Sequence, residues 1–348
     1  MNNNKYFSIL ETLQENNSKP TGLNDRVLLV DGLNTFIRAW AISPVTNDDG
    51  IHVGGISGSL LSIGYAIKNI KPTRVILCFD GKGGSQRRRK LFPGYKGNRK
   101  PTSNLNRAFV GSDDKDAQRK NMGMQLARLV DYMDNLPVSI LSLDNIEADD
   151  TIAYISKQVL TDSQCFIMSS DKDFLQLVDD RITVWSPTKK KLYFKGDVQS
   201  DTGIPAHNFL LYRTLTGDKS DNIPGIKGAG LKTLQKRLPI IFEDREVSID
   251  EVLKASEDSE IKILQSICSN KDQIELNHRL MQLYDVDISG TAKEKIRNIV
   301  GEHINPLNVH KFKLMLMEDR LTTIIRNLDF WLRETFTSLS AFAKQSAK

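Results

Sequence analysis

Short, continuous apolar runs recur along the chain, and three of them end at aspartate. Residues 27–30 run into Asp31, residues 75–79 into Asp80, and residues 165–168, after two serines, into Asp171 and Asp173. Uninterrupted β-branched and apolar runs of this length predict strands buried on both faces, as in a parallel sheet covered by helices. Further strands are predicted at 138–143, and at 182–185 and 192–194, where a Pro and Lys turn marks a terminal hairpin. Between these runs the apolar period changes to that of a helix. Leu60, Ile63, Gly64 and Ile67 share one face of a helix over 59–70; Met122, Leu126, Leu129 and Met133 mark a second; Ala148, Ile152, Ile155 and Val159 mark a third. A short helix is expected through 174–178. The pattern predicts an α/β fold with a central, mainly parallel sheet flanked by helices.

Composition shifts near 195–202, the expected boundary between an α/β domain over 25–200 and a helical region over 201–348. Residues 1–24 are Asn-rich and polar, with one short amphipathic stretch at 6–13, and read as a flexible extension. Residues 81–120 form a polar segment with little periodicity, far longer than an ordinary connection and so expected to be functional or mobile. At the other end, Phe312, Met315, Leu321, Ile324, Leu328, Trp331 and Phe336 recur through 305–348, so this tail is expected to pack back onto the body.

A length of 348 residues and a hydrophobic content of 39% suit two domains with real cores. The formal charge of +5 says little by itself, but acids gather at the strand ends while Lys and Arg gather elsewhere. Cys78, Cys165 and Cys268 share no close spacing, and two of them lie inside predicted strands, which indicates buried thiols in a reducing compartment. No run approaches the ~18 apolar residues of a membrane span. A soluble cytoplasmic protein without membrane contact is expected, in the host cytoplasm if the source is a phage.

Ligands of parallel sheets bind at the carboxyl ends of the strands, where Asp31, Asp80, Asp171 and Asp173 are placed. Glu147, Asp149 and Asp150 at a helix start and the later pair Asp218 and Asp221 join them. Two unit charges ~4 Å apart at an effective dielectric of ~20 repel by about 4 kcal/mol. Such a set is held only by raised pKa values or by bound cations. Oxygen donors without a His or Cys cluster point to Mg²⁺ or Mn²⁺. The bland alternative is that each acid is a cap or turn residue, but several strands delivering acids to one edge argue for a joint role. Next to Asp80, residues 86–100 hold Arg87, Arg88, Arg89, Lys90, Lys96, Arg99 and Lys100 with no acid among them. A solvated loop is the plain account of such a run. Its position suits a phosphodiester approaching the acids, with Phe92 and Tyr95 placed to stack on a base. In 217–230, glycines including Gly225, Gly228 and Gly230 surround Lys227 ahead of a predicted helix at 231–238, where exposed N–H groups can bind phosphate. An ordinary helix connection is the alternative there.

Taken in order, Asp31, Asp80, Glu147-Ala148-Asp149-Asp150, Ser170-Asp171-Lys172-Asp173 and the run from Gly217 to Gly225 resemble the motifs of the structure-specific 5′-nucleases. That family includes flap endonucleases, the 5′-exonuclease domains of DNA polymerase I and phage 5′-nucleases also called ribonuclease H; the short separate chain looks most like the phage branch. The likeness spans roughly residues 26–240. It implies a PIN-like catalytic domain and a helix-hairpin-helix at about 217–238. Asp31, Asp80, Glu147 and Asp149 match the first metal group, Asp171, Asp173 and Asp221 the second, and Asp150 and Asp218 bridging or water-mediated positions. Residues 81–120 match the arch through which a 5′ single strand passes, with Lys96 and Arg99 at the scissile phosphate; Arg87, Arg88 and Tyr95 of the basic run are expected on the DNA beside them. Gly225, Lys227, Gly228 and Gly230 match the duplex grip, often built around K⁺. The implied reaction is Mg²⁺-dependent hydrolysis at 5′ flaps, nicks and RNA primers on DNA, during replication. The implied protein is a monomer whose partners include a single-strand-binding protein or a sliding clamp. Rival expectations are a non-catalytic junction-binding protein, a single-strand ribonuclease of the same sheet type, and an aspartyl-phosphate phosphohydrolase. The last needs Asp-x-Asp on its first strand, where this chain has Asp31-Gly32-Leu33.

Overall fold

The computed structural model describes residues 22–98, 106 and 114–346. Arg99, most of the N-terminal extension and much of 99–113 lie outside the described residues. Six strands form one sheet: β1 (Arg26–Asp31), β2 (Arg74–Asp80), β3 (Ser139–Leu143), β4 (Gln164–Met168), β5 (Ile182–Ser186) and β6 (Lys191–Tyr193). Their order is β3-β2-β1-β4-β5-β6, parallel throughout except for the β5–β6 hairpin. From β1 the chain builds outward to β2 and β3, then returns to lay β4 on the other side of β1. The direction of winding therefore reverses between the carboxyl ends of β1 and β4, the crevice where sheets of this type bind ligands.

Helices α1 (Gly32–Ile42) and α2 (Gly54–Ile70) connect β1 to β2. Next come α3 (Gln86–Leu91), α4 (Lys115–Met133) and α5 (Ala148–Tyr154), the last running into a π turn at Ile155–Val159. A 3₁₀ turn, Lys172–Leu177, follows β4. Beyond the sheet lie α6 (Lys195–Thr202), α7 (Phe209–Thr216), α8 (Leu231–Arg237), α9 (Ile249–Ser256), α10 (Lys262–Ser269), α11 (Lys271–Met281), α12 (Gly290–Gly301), α13 (Val309–Glu318) and α14 (Leu328–Ser346).

The two-residue period of the strands divides their side chains between two cores. Leu28 and Val30 of β1 pack with α1, α2 and α4, and also with Phe312, Trp331 and Phe336 of the C-terminal tail, which does return to the body. Val27 and Leu29 face Ile152 and Ile155, joined by Ile296 and Val300 of α12. Helices α12 to α14 thus belong to the cores of the sheet. The turn-rich stretch from Leu211 to Ile274 has a core of its own.

Two departures from the sequence expectation have local causes. Helix α2 begins at Gly54 rather than near 59, because glycines that look like breakers serve a close helix crossing: a Cβ at Gly58 would stand 2.8 Å from that of Ala39. Residues 81–98, expected as part of an irregular segment, contain α3 and a folded turn in which Tyr95 is buried with Leu210, Ile223, Leu280 and Met281.

Candidate active site

Each acid at the sheet edge is placed by local backbone chemistry. Asp31 caps α1 by accepting from the Asn34 N–H at 3.1 Å, and its other oxygen accepts from Ser169 Oγ at 2.9 Å. Ser169 Oγ in turn accepts from the Asp171 N–H at 3.0 Å, and Ser170 Oγ donates to Asn34 Oδ1 at 2.7 Å, so β1 and β4 are stitched across the crevice. Asp80, ending β2, accepts from the Ala148 N–H at 2.7 Å and so fixes the start of α5. Asp171 caps the 3₁₀ turn by accepting from the Asp173 N–H at 2.9 Å. Capping explains why Asp occupies these positions, but it leaves their summed charge unexplained.

That charge divides the site in two. Glu147, Asp149 and Asp150 offer carboxylate oxygens within 4.8 Å of one another. Arg88 lies at their centre, 2% exposed; it pairs with Glu147, with Asp149 at 3.2 Å and with Asp150 at 2.8 Å. Lys96 also pairs with Glu147, and Arg87 with Asp150 at 3.0 Å. Burial pushes the Asp149 carboxyl up, but Arg88 and Lys96 outweigh it and hold it below the usual range. For Asp150 burial wins and the carboxyl rises to about 6.

The other half lacks this compensation. Among the described residues no salt bridge reaches Asp31, Asp80 or Asp171. Burial lifts Asp31 to about 7, with Asp171 and Asp80 adding repulsion. Asp171 is raised by withdrawal from water and by Asp149 and Asp221. Asp173 is lifted to about 7 by burial and by Asp171, although Arg213 pairs with it at 2.9 Å. These mutual effects bring Asp31, Asp80, Asp149, Asp171, Asp173 and Asp221 into one electrostatic cluster. Clustered carboxylates that no salt bridge reaches, with hard oxygens, are what a divalent cation neutralises.

Arg88 and Tyr95 are placed differently from the sequence expectation. Both were expected to contact DNA, yet both are buried, Tyr95 with its hydroxyl donating to Glu147 at 3.3 Å. The apolar ring in a basic run signals packing as much as stacking. Lys96 does reach the acids: it has a left-handed φ of 56°, and its N–H donates to the Asp221 carbonyl at 2.8 Å. Sequence reasoning missed Ser169, Asn34, Arg213 and Arg38. Arg213 bridges Asp173 and Asp218 from α7, one helical turn before Gly217. Arg38 lines a cavity of about 170 Å³ with Ser170, Asp171 and Lys172. Its signal was the helix after Asp31, whose Phe36 and Trp40 recur four apart.

The glycine-rich turn alternates in the same structural sense. Ile223, Ile226 and Ala229 are buried, while Lys227, Gly228 and Gly230 face outward. A Cβ at Gly225 would lie 2.1 Å from the Thr216 carbonyl oxygen, so this glycine serves close backbone packing. Gly228 has φ +90°, and Gly230 has open space around it.

Residues 26–203 match the family described as 5′-3′ exonuclease, N-terminal resolvase-like domain. The chain belongs to the 5′-3′ exonuclease family. It is 30% identical over 223 residues to a 5′-3′ exonuclease of Bacillus subtilis, covering 61% of this chain and 69% of that one. A 5′-3′ exonuclease of Aquifex aeolicus is 26% identical over 309 residues, 88% of this chain and 96% of the other. In fold the chain resembles a bacteriophage T5 flap endonuclease solved with DNA and metal ions: TM-score 0.61, 20% identity, 84% of this chain and 98% of that one. Phage T5 5′-exonuclease with bound zinc gives a TM-score of 0.60 at 19% identity, covering 86% and 99%. As a member of the exonuclease family the chain is a nuclease, a hydrolase whose acidic site has the donors a divalent metal takes. No helix among the described residues is long and apolar enough to cross a membrane.

Proposed function

We propose that the protein hydrolyses phosphodiesters close to 5′ ends in duplex DNA, at 5′ flaps, at nicks and in RNA primers, during replication. The observation that carries this is the acid cluster of Asp31, Asp80 and Asp171 at the crevice between β1 and β4, which no salt bridge reaches among the described residues, beside Glu147 and Asp150, to which Arg87, Arg88 and Lys96 bring their charge from α3 and the following turn. Asp31, Asp80, Glu147 and Asp149 are the residues to hold one divalent cation and Asp171, Asp173 and Asp221 the other, with Asp150 and Asp218 bridging or acting through water. Two Mg²⁺ ions, replaceable by Mn²⁺, would supply an activated water and stabilise the leaving oxygen.

The protein's own groups do the rest. Ser169 and Asn34 hold Asp31 and the turn before Asp171 in register. Lys96, fixed by the Asp221 carbonyl, is the cation to meet the scissile phosphate, together with Arg99. The outward Lys227, Gly228 and Gly230 are the part of the reading that grips duplex backbone, with K⁺ at that turn. Phosphate contacts of this kind follow shape rather than sequence. A helical arch over 81–120, a catalytic unit over 25–200, a helical region over 201–348, monomeric action and contact with a single-strand-binding protein or sliding clamp complete the proposal. Support for DNA as substrate comes from the fold neighbour solved with DNA. End-labelled flap, nicked and RNA–DNA hybrid substrates, incubated with and without Mg²⁺, test it. Release of short 5′ products only with the ion is expected, and absence of cleavage on all three overturns it.

A further inference from the structure

The two groups of acids differ in how closely they are drawn together. Glu147, Asp149 and Asp150 bring oxygens within 4.8 Å of one another, and among the described residues Asp171, Asp173 and Asp221 form no such group. In that second group Asp173 is turned toward an arginine. Arg213 Nε and Nη2 each lie 2.9 Å from Asp173 Oδ1, and Nη2 also pairs with Asp218 Oδ2.

Arg213 is held there by its own helix and by the turn that follows. Its carbonyl accepts from the Gly217 N–H at 2.8 Å, closing α7, and its Nη1 donates to the Gly217 carbonyl at 3.4 Å. Both oxygens of Asp218 are engaged: Oδ1 accepts from the Ser220 N–H and hydroxyl, each at 2.6 Å, while Oδ2 takes the guanidinium. Asp218 is thus a buttress that aims Arg213 at Asp173. Asp173 is moored from the other side, its carbonyl accepting from Gln176 Nε2 at 2.9 Å. Arg213 takes Oδ1 of Asp173, and no hydrogen bond among the described residues reaches Oδ2. The charge of the guanidinium is felt at Asp171 as well.

A fixed unit charge beside these acids has two opposed effects. It relieves their mutual repulsion, and it repels any divalent cation that the same acids attract. The Arg213 and Asp173 side chains are 19% and 21% exposed, so water screens either effect only in part. We infer that Arg213 is a resident counter-cation of the Asp171, Asp173 and Asp221 group that keeps divalent-ion binding there weak until substrate phosphate adds its negative charge, an inference that rests on the two-ion nuclease reading above. Arg213 is then a positioning and regulating residue, acting through the two carboxylates it touches. A neutral side chain lets the acids take an ion without substrate. Lysine keeps the charge and loses the fork that spans both carboxylates.

Calorimetric titration with Ca²⁺ tests this on the full chain without DNA, in the parent, Arg213→Gln, Arg213→Met and Arg213→Lys, each verified as folded by circular dichroism in chelator. Asp171→Asn in the parent background identifies the ion concerned. Both neutral variants should bind that ion roughly 10-fold more tightly or better, since even at the dielectric of water a unit charge about 6 Å from a divalent ion is worth that factor. Arg213→Lys should stay close to the parent. Weaker binding in both neutral variants, the outcome of a purely structural arginine, overturns the inference, as does unchanged binding. Equal tightening in Arg213→Lys overturns it too, because shape rather than charge is then responsible. The parent alone carries a further test: a duplex with a 5′ arm should tighten the same ion, after subtraction of ion uptake by the DNA, and no gain overturns the inference whatever the variants do. Cleavage of that duplex by the parent in Mg²⁺ is scored separately, so failure of the nuclease reading is distinguishable from failure of the role given to Arg213.

Discussion

Arg88 Nη2 lies 2.8 Å from Asp150 Oδ1 inside the protein, and the same guanidinium serves Glu147 and Asp149. Arg88 is therefore the cation shared by all three acids, with Lys96 and Arg87 each adding a pair, in the half of the site where metal-like geometry is tightest. Replacing it by Met leaves Asp149 without its salt bridge and Glu147 and Asp150 with only Lys96 and Arg87. Arg88→Met should destabilise the metal-free protein by ~3–5 kcal/mol, the range for breaking a buried ion pair. Urea unfolding with and without Mg²⁺ measures this, and partial recovery in Mg²⁺ is expected because the ion can take over the balancing. An unchanged midpoint in chelator would mean the acids are neutralised by other means.

Asp31 gives a prediction of opposite sign for stability and activity. Its carboxyl is raised to about 7 from an ordinary 3.8. Between those values the folded chain keeps a proton that the unfolded chain has lost, so stability falls as pH rises through the window. Asp31→Asn removes that penalty. In chelator its Tm should exceed the parent's at about pH 8, with the gain fading near pH 4, at roughly 2–4 °C per kcal/mol. Cleavage should fall by orders of magnitude, since an amide is a poor ligand for hard cations. A Tm gain independent of pH would refute the electrostatic cause.

The three glycines of the turn before α8 should separate cleanly. Gly225→Ala must move the Thr216 backbone and is expected to lower stability by about 1–3 kcal/mol, the cost of overpacking. Gly230→Ala, with open space, should stay within roughly 0.5 kcal/mol. Gly228→Val strains a left-handed position and should weaken duplex binding similarly for unrelated sequences. Thermal unfolding and anisotropy on two unrelated duplexes distinguish these outcomes, and sequence-selective loss at Gly228 would place the grip elsewhere.

The C-terminal tail is expected to be essential to the sheet. Trp331 packs between Phe312 and Phe336, and its indole comes within 2.8 Å of a Cβ built on Gly64 of α2. Trp331→Ala should cost ~3–5 kcal/mol as a large-to-small core change, read from chemical denaturation. A loss below about 1 kcal/mol would show the tail to be dispensable.

The strands were legible because burial on both faces leaves unbroken apolar runs, and Asp31, Asp80 and Asp171 were legible because those runs end on them. Helix α1 was missed: Gly32 after Asp31 looks like a turn, while the cap on Asn34 and the Phe36–Trp40 spacing carry the helical signal. The basic run deceived differently. Charge density alone placed Arg88 and Tyr95 on a surface, whereas carboxylates far away in sequence and the apolar partners Leu210 and Leu280 draw them inside. Arg213 was invisible for the same reason: its partners Asp173 and Asp218 are set by tertiary contact.

The bond from Arg88 to the Leu280 carbonyl has a consequence for how such a chain can be divided and inherited. Composition marks a seam near 195–202, but the arginine that balances the acids of the sheet edge is moored to a helix some eighty residues beyond that seam. A fragment cut there, or a chimera that exchanges only the downstream part, would lose the mooring while keeping the acids. Recombination should therefore preserve α3 and α11 as a co-inherited pair, because the electroneutrality of one depends on the position of the other.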